Sequence, residues 1–240
     1  MSKQLSLPVN LRDNETFDSF VLGDNGQLVG HLQSLTEPLS EINPQSWLTF
    51  ISAESGVGKS HLLYALCQHA QQHNVSSVYL NCHEKDALSV EMLDGLEHCQ
   101  LICLDDINAL EGSNSWQVAV FDLINRVKEL GTARLIITAN SPAKHLNFEL
   151  ADLLSRLSWG LSYKLHALND EQRCEALLNR ASQRGLKMPI NVASYLVNHW
   201  QRDMPALMNT LDKLDQLSLQ QQRKLTIPFV KASLGDQWSQ

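Results

Sequence analysis

Hydrophobic and polar positions along the first 165 residues follow two alternating periods, one typical of strands and one typical of helices. Short apolar runs are separated by longer segments in which apolar residues recur every three or four positions. The predicted strands lie near 47–52, 76–81, 100–104, 133–138 and 161–165, and the predicted helices near 28–36, 60–73, 115–130 and 148–157. This alternation predicts an α/β domain with a five-stranded parallel sheet and helices on both faces.

The strand signals stop after Leu165, and the remaining pattern is helical. Asn169 and Gln172 have the spacing of a capping box, and the helix that they open should end near Gly185. Further helices are predicted near 190–200, 204–219 and 228–234, the last opened by Thr226 with Pro228 in its first turn. We therefore divide the chain into a flexible tail (1–12), an α/β nucleotide-binding domain (13–167) and a small helical lid domain (168–240).

Composition narrows the classes of partner. The chain has 240 residues, of which 43% are hydrophobic, enough for one good core and a smaller second one. A formal net charge of -7 argues against the broad basic surface of a protein that grips nucleic acid unaided. Proteins and a nucleotide are the expected partners, and any contact with DNA is expected to be indirect or weak.

Membrane insertion and secretion are not expected. No apolar run approaches the length of a membrane span, and residues 1–6 are too polar and too short for a signal peptide. We therefore expect a cytoplasmic protein.

The segment 53–60, Ala-Glu-Ser-Gly-Val-Gly-Lys-Ser, has the spacing of a phosphate-binding loop between a strand and a helix. Gly56 and Gly58 allow backbone N–H groups to face a phosphate, Lys59 reaches the outer phosphates, and Ser60 is placed to ligate Mg²⁺. The alternative, a glycine turn with a solvated lysine, does not account for the strand before the loop and the helix after it. Ala53 departs from the usual pattern, which has glycine there.

Polar side chains end two of the predicted strands. Asp105 and Asp106 follow an apolar run, so Asp105 would hold Mg²⁺ through water and Asp106 would orient or deprotonate an attacking water. Asn140 ends the next strand and could hold that water or touch the outer phosphate. The simpler alternatives are that the two acids only solvate the end of a strand, and that Asn140 is a turn residue before Ser141 and Pro142.

Four segments together resemble the AAA+ module of the bacterial DnaA family. They are residues 16–23 (Thr-Phe-Asp-Ser-Phe-Val-Leu-Gly), 56–62, 104–107 and 154–161 (Leu-Ser-Arg-Leu-Ser-Trp-Gly-Leu). The resemblance implies an ADP site, or one for another nucleoside diphosphate, with Mg²⁺ at Ser60 and Asp105. It also implies nucleotide contacts from Val21, Leu22, Val57 and His61.

The initiators of that family carry a DNA-reading domain after the lid, whereas only residues 235–240 follow it in this sequence. Residues 223–231 are also similar to the ending of the Hda family, the DnaA-related regulators that switch the initiator off. We therefore expect a regulator with weak or no ATP turnover of its own, acting on DnaA, with homo-oligomers possible.

The tail contains the segment 4–9, namely Gln4, Leu5, Ser6, Leu7, Pro8 and Val9. It resembles the peptide by which the Hda family binds the beta sliding clamp of DNA polymerase III. An extended segment can present Gln4 to a polar pocket and Leu7 and Val9 to an apolar one. From the residues alone, an ordinary disordered tail is the alternative.

Arg156 is the residue to which the resemblance gives a catalytic role. Its position corresponds to the arginine finger, which faces the nucleotide of a neighbouring subunit. The bland alternative is an arginine at a helix end, paired with a carboxylate such as Asp152.

Pro205 stands where the initiators have an arginine that touches the nucleotide, so that contact is lost while the helix is kept. Together these residues predict an ADP-bound regulator that docks on the clamp and presents Arg156 to initiator-bound ATP. One alternative is a free-standing AAA+ ATPase or helicase loader that hydrolyses its own ATP. Another is a nucleotide-dependent interaction domain without an arginine that acts in trans.

Overall fold

A computed structural model describes residues 15–37, 44–199 and 203–235. These residues form two compact units: Gly26–Leu165 with residues 15–17, and Asp18–Asn25 with the described residues from His166 onward. The sequence placed 18–25 in the α/β domain, whereas their contacts group them with the helical unit.

The first unit contains a parallel sheet of five strands among the described residues. They are β1 (Leu48–Ser52), β2 (Ser77–Asn81), β3 (Leu101–Asp105), β4 (Arg134–Ala139) and β5 (Leu161–Lys164). Their spatial order is β2-β3-β4-β1-β5, and every neighbouring pair is parallel. The predicted fold class is therefore confirmed, with strand ends shifted by a few residues at most.

Among the described residues, the first unit has one α-helix before β1 and three α-helices between strands. They are α1 (Gly26–Ser34), α2 (Lys59–Gln72), α3 (Asn114–Leu130) and α4 (Ala151–Leu157). Between β2 and β3, the chain makes short 3-10 turns at Cys82–Glu84, Val90–Leu93 and Leu96–His98. The sequence predicted no helix in this connection, and these turns were not foreseen.

Burial explains why the strands read as apolar runs. Every residue of β1, β3 and β4 is buried, as expected for central strands of a sheet that is covered on both faces. The edge strand β5 instead alternates between half-buried and exposed positions. Large side chains such as Phe50, Ile102 and Leu104 fill the core of this unit.

Gly160 is a glycine because of a close approach to β1. A Cβ atom built on it would lie 2.0 Å from the carbonyl oxygen of Leu48, the first residue of β1. No other residue type fits there without displacing backbone. The chain is thereby held against β1 directly after Trp159.

The second unit is helical beyond residue 165. Its helices are α5 (Asp170–Gln183), α6 (Ile190–His199), α7 (Met204–Gln221) and α8 (Ile227–Leu234). The predicted capping box of Asn169 and Gln172 is present, and the Thr226 side chain accepts a hydrogen bond from the Phe229 N–H. Its core is an apolar cluster of its own, including Leu177, Leu196 and Leu211.

Asn25 connects the early segment 18–25 to the rest of the second unit. Its Nδ2 donates to the His166 carbonyl oxygen at 3.0 Å, and its Oδ1 accepts from the His166 N–H at 2.7 Å. Asn25 is only 3% exposed. Its amide therefore needs hydrogen-bond partners within the protein, and the backbone of His166 supplies them.

Across the part of the chain that the structure describes, no helix has both the length and the apolar character needed to cross a membrane.

Candidate functional site: a phosphate loop and a cationic cluster

The phosphate loop (residues 53–60) lies between β1 and α2, at the carboxyl edge of the sheet. Gly56 and Gly58 have positive φ angles of 78° and 115°, which side chains with a Cβ rarely adopt. Gly58 precedes the first residue of α2, and no side chain caps the amino end of that helix. The loop therefore turns as the motif predicts and leaves N–H groups at its helix end for an anion.

Ala53 fits the loop in spite of its departure from the motif. It is 6% exposed, its N–H donates to the Ala139 carbonyl oxygen at 3.1 Å, and its φ is not positive. Because this backbone conformation is open to any residue, alanine causes no strain there.

Lys59 is buried beneath the loop at 5% exposure. Its Nζ donates to the carbonyl oxygens of Ala53 and Glu54 at 3.2 and 3.3 Å and lies 3.2 Å from Asp106 Oδ1. The ammonium is thus neutralised inside the protein, because a charge is buried only with a partner.

Asp105, at the end of β3, is 1% exposed and accepts three hydroxyl hydrogen bonds. Ser60 Oγ and Tyr79 Oη donate to its Oδ2 at 2.5 and 2.7 Å, and Thr138 Oγ1 donates to its Oδ1 at 2.5 Å. Burial and the negative charge of Asp105 raise the pKa of Tyr79 well above its ordinary value, so the phenol keeps its proton. Three donors on two oxygens fix the orientation of the carboxylate.

Asp106 adopts a left-handed conformation with φ 52°, which brings its carboxylate to Lys59. Its N–H donates to Thr138 Oγ1 at 2.8 Å, and His83 Nε2 lies 3.5 Å from its Oδ2. Burial, with the charges of Asp105 and Asp106, raises the pKa of Cys82 to about 12. The carboxylates therefore create a negative field beside the loop. We call Lys59, Ser60, Tyr79, Asp105, Asp106 and Thr138 the phosphate-loop cluster.

These residues fit a nucleotide diphosphate with Mg²⁺. The loop offers backbone N–H groups, Lys59 offers a cation, and the Ser60 hydroxyl and Asp105 carboxylate are already within hydrogen-bond distance of each other. Mg²⁺ held by Ser60, and by Asp105 through water, would neutralise phosphate charge.

The other predicted nucleotide contacts lie in different places. Asn140 is exposed at the end of β4, and its N–H donates to Asn108 Oδ1 at 2.9 Å. Val57 is half-buried in the loop, and the Nε2 atom of His61, in α2, lies 3.0 Å from the Thr16 carbonyl oxygen. Val21 and Leu22 belong to the second unit, where Val21 is buried and Leu22 is 47% exposed.

Arg156, near the end of α4, lies in a second cluster within the first unit. Its Nε donates to Asn125 Oδ1 at 2.9 Å, and its Cζ lies 3.9 Å from the ring centroid of Trp159 and 5.2 Å from that of Phe121. The Lys128 Nζ lies 3.5 Å from the same Trp159 centroid. We call Phe121, Asn125, Lys128, Arg156 and Trp159 the Trp159 cluster.

The alternative for Arg156, a pairing with a carboxylate such as Asp152, is not found among the described residues. Within residues 15–37, 44–199 and 203–235, no ion pair involves Arg156 or Lys128. Both cations rest instead on an aromatic ring, which attracts them through its negative face.

Two predicted features of the chain's ends and lid remain. The segment Gln4–Val9 lies outside the described residues. Pro205 is exposed in the first turn of α7, where the Asp203 side chain accepts a hydrogen bond from the Ala206 N–H at 3.1 Å. The helix is therefore kept with proline in its first turn, as expected.

Sequence reasoning missed Tyr79 and Thr138 in the first cluster, His83 beside it, and Lys128 and Trp159 as partners in the second. Thr138 could have been found from the sequence, since it is a hydroxyl residue inside the apolar run of β4. Nothing in the sequence singles out Lys128, because a lysine near a helix end is ordinarily solvated.

Two family models match this sequence. The model of the bacterial DnaA ATPase domain matches residues 11–164, and that of the Hda lid domain matches residues 170–234. The two matches meet where the strands end and the helical unit continues.

Solved structures share the fold. Domain III of the replication initiation protein DnaA from Thermotoga maritima is 19% identical with a TM-score of 0.81, covering 95% of this chain and 98% of its own. AMPPCP-bound DnaA from Aquifex aeolicus is 21% identical with a TM-score of 0.69, covering 87% and 67%. The Thermotoga maritima RuvB Holliday junction branch migration motor is 12% identical with a TM-score of 0.68, covering 93% and 72%.

Proposed function

The chain belongs to the bacterial DnaA ATPase-domain family, and from this premise we propose that it is a nucleotide-dependent regulator of replication initiation. It binds ADP, docks on the DNA-loaded beta sliding clamp of DNA polymerase III, and presents Arg156 to ATP held by the initiator DnaA. The stimulated hydrolysis leaves the initiator in its inactive ADP form. The match of residues 170–234 to the Hda lid supports a regulator rather than an initiator.

The observation that carries this proposal is the setting of Arg156. The guanidinium is half-buried, held by Asn125 and the Trp159 ring, and makes no ion pair with a described residue. An arginine that served only the fold would be expected to bind a carboxylate or backbone carbonyls, as Arg126 does with Glu97 and Leu93.

An arginine supplied in trans stabilises charge that develops on the transferring phosphoryl group. Such a group is worth roughly 10³ to 10⁵ in rate, about 4 to 7 kcal/mol. The reaction then takes place at the ATP of the partner. The phosphate loop of this chain holds a diphosphate, and that diphosphate sets the conformation of this chain.

Clamp binding rests on the tail sequence. Deleting residues 1–9 is expected to abolish retention on DNA-loaded clamp while leaving nucleotide binding intact, since the loop and its cluster lie elsewhere. Unchanged retention would refute the tail assignment.

The test of the main proposal follows phosphate release from ATP-charged initiator mixed with DNA-loaded clamp, ADP and this protein. Arg156→Ala is expected to reduce the stimulated rate at least about 10³-fold. Arg184→Ala is the matched control, because Arg184 pairs with Asp212 in the second unit. Its stimulated rate should equal that of the wild type.

If Arg156→Ala stimulates hydrolysis as well as wild type, the arginine is not the finger. Initiator binding by both variants, measured with a non-hydrolysable ATP analogue, separates a lost reaction from a lost complex.

A free-standing ATPase is the second candidate, and the fit of Ala53 favours it. The loop is unstrained, and Lys59, Asp105 and Asp106 are all in place at its edge. Purified protein alone decides between the two. Appreciable ATP turnover that disappears in Lys59→Ala would support the enzyme and count against the regulator.

A further inference from the structure

Two cations converge on one exposed aromatic ring in the Trp159 cluster. Lys128 Nζ lies 3.5 Å and Arg156 Cζ 3.9 Å from the centroid of the Trp159 ring, which belongs to a side chain that is 36% exposed. Since both lie so close to one centroid, they can be no more than about 8 Å apart, within a Debye length. Two like charges at that separation repel each other.

No carboxylate of the described residues forms an ion pair with either cation. Carboxylate partners occur elsewhere in the described ranges, but none lies within 4.0 Å of Lys128 or Arg156. The Arg156 Nε is used by Asn125, whereas its two terminal amino groups donate no hydrogen bond to a described residue. The cluster therefore offers uncompensated charge together with unused donors.

The arrangement contrasts with that of three buried or half-buried cations of the first unit. Lys59 has Asp106, Arg126 has Glu97, and Arg134 donates to the carbonyl oxygens of Leu35 and Glu37. The Trp159 ring attracts each cation but supplies no net negative charge. An anion from outside the described residues is what completes this cluster.

The chemistry favours a terminal phosphate as that anion. A guanidinium binds two phosphate oxygens with its planar fork, and an ammonium adds a compact charge with rotatable donors. A single carboxylate carries one charge for two cations, whereas the end of a triphosphate carries several charges on neighbouring oxygens.

We infer that Lys128 is a second cation facing the terminal phosphate of the partner's ATP, and that Trp159 positions both Lys128 and Arg156. This inference rests on the proposed function of Arg156 in trans. Lys128 would touch the phosphate, so it is a catalytic residue. Trp159 acts through the two cations and is a positioning residue.

In the reaction, a water oxygen forms a bond to the terminal phosphorus, and the bond from that phosphorus to the bridging oxygen breaks. The electron pair of the broken bond stays on ADP, and the water gives up one proton to solvent. Negative charge therefore grows on the bridging oxygen and remains on the phosphoryl oxygens, where two cations stabilise it more than one does.

The test uses the full chain in the phosphate-release assay and separates the maximal rate from the protein concentration that gives half of it. Lys128→Met keeps the apolar stem and removes the charge. We expect a fall in the maximal rate of about 10-fold to 100-fold, with little change in the half-saturating concentration. Lys128→Arg should restore most of the rate.

Lys231→Met is the matched control. Lys231 is also exposed and lies 5.4 Å from the ring of Tyr195, but it belongs to the second unit. Its variant should behave as wild type, which would show that removing a lysine from an aromatic ring has no general effect.

Trp159 is tested by Trp159→Phe and Trp159→Leu. Phenylalanine keeps a ring for the cations and should retain most of the maximal rate, whereas leucine should lower it as strongly as Lys128→Met. Circular dichroism and thermal unfolding check that both variants are folded. Loss of rate in both variants to the same degree would contradict the positioning role.

The outcomes distinguish this inference from the proposal on which it rests. If Arg156→Ala is inactive and Lys128→Met reaches the full maximal rate, the inference fails alone. If Arg156→Ala is fully active, both fail. If Lys128→Met weakens binding to DNA without changing the maximal rate, the cluster serves a nucleic-acid phosphate, and the inference is overturned.

Discussion

The phosphate-loop cluster and the Trp159 cluster lie in the same unit, but they differ in whether their charged groups have partners of opposite charge. Lys59 is 5% exposed and lies 3.2 Å from Asp106, while Asp105 accepts hydrogen bonds from three hydroxyls. Arg156 and Lys128 have an amide and an aromatic ring as partners, with no ion pair inside the described ranges. The first cluster pairs its cation with a described carboxylate, and the second does not.

The difference indicates what each cluster contributes. Groups that satisfy one another inside the protein stabilise the fold whether or not a ligand is bound. Groups left without a counter-charge at a surface add little to stability, and their free energy becomes available when a partner supplies the anion. Substitutions in the first cluster should therefore affect stability, and those in the second should affect the reaction in trans.

The largest effect on stability is expected where the Trp159 cluster is anchored. In Gly160→Ala, the new Cβ would meet the Leu48 carbonyl oxygen at 2.0 Å, so β1 and the segment after Trp159 must move apart. We expect the free energy of unfolding to fall by about 3 kcal/mol, as in overpacked cores. Urea denaturation measures it.

Gly30→Ala is the control for that substitution. Gly30 lies in α1 with no atom within 4 Å of an added Cβ, so alanine should be neutral or stabilise the protein by about 0.5 to 1 kcal/mol. Equal stability of the two variants would show that the approach of Gly160 to β1 does not constrain the fold.

Asp105→Ala tests the comparison directly. It leaves the hydroxyls of Ser60, Tyr79 and Thr138 without their acceptor, so we expect a loss of about 2 kcal/mol in the free energy of unfolding. Arg156→Ala should lose less than about 1 kcal/mol. Asp152→Ala, at an exposed position of α4, serves as the control and should be near neutral. A larger loss for Arg156→Ala than for Asp105→Ala would reverse the assignment of the two clusters.

A smaller effect is expected at His31. This basic side chain differs from the cations of both clusters because burial favours its neutral form. Its Nε2 lies 2.9 Å from Thr49 Oγ1, its ring stacks on Tyr163, and burial lowers its pKa below the ordinary 6.5. No ion pair with a described carboxylate involves it, and burial favours its neutral form in the folded protein.

Since the unfolded chain takes up this proton more readily, the stability from His31 is present above about pH 6.5 and decreases as the pH falls below it. Wild type should therefore lose about 1 kcal/mol more than His31→Gln between pH 7 and pH 5. Denaturation curves at both pH values measure the difference. Parallel losses would show that His31 is protonated in the folded state.

The sequence predicted most of the fold and half of the candidate site, for identifiable reasons. The strands were visible because central parallel strands are apolar throughout, and the loop because its glycines, lysine and serine are contiguous. The Asn169 capping box is likewise a local pattern, and it is present in the structure.

Most of the missed side-chain contacts join residues that are far apart in the chain. Asn125 and Arg156 are 31 positions apart, and Tyr79 and Asp105 are 26 apart. The periodicity of apolar residues does not indicate which lysine and which arginine contact the same aromatic ring. The Trp159 cluster therefore became visible only in the three-dimensional structure. The grouping of 18–25 with the helical unit has the same cause.

That grouping has a consequence for the order of synthesis. Asn25 leaves the ribosome early, but His166, which binds both ends of its amide, is made 141 residues later. At about 5 to 20 residues per second, the delay is roughly 7 to 30 seconds. All five strands of the sheet, the last of which ends at Lys164, are therefore made before the segment 18–25 gains this partner.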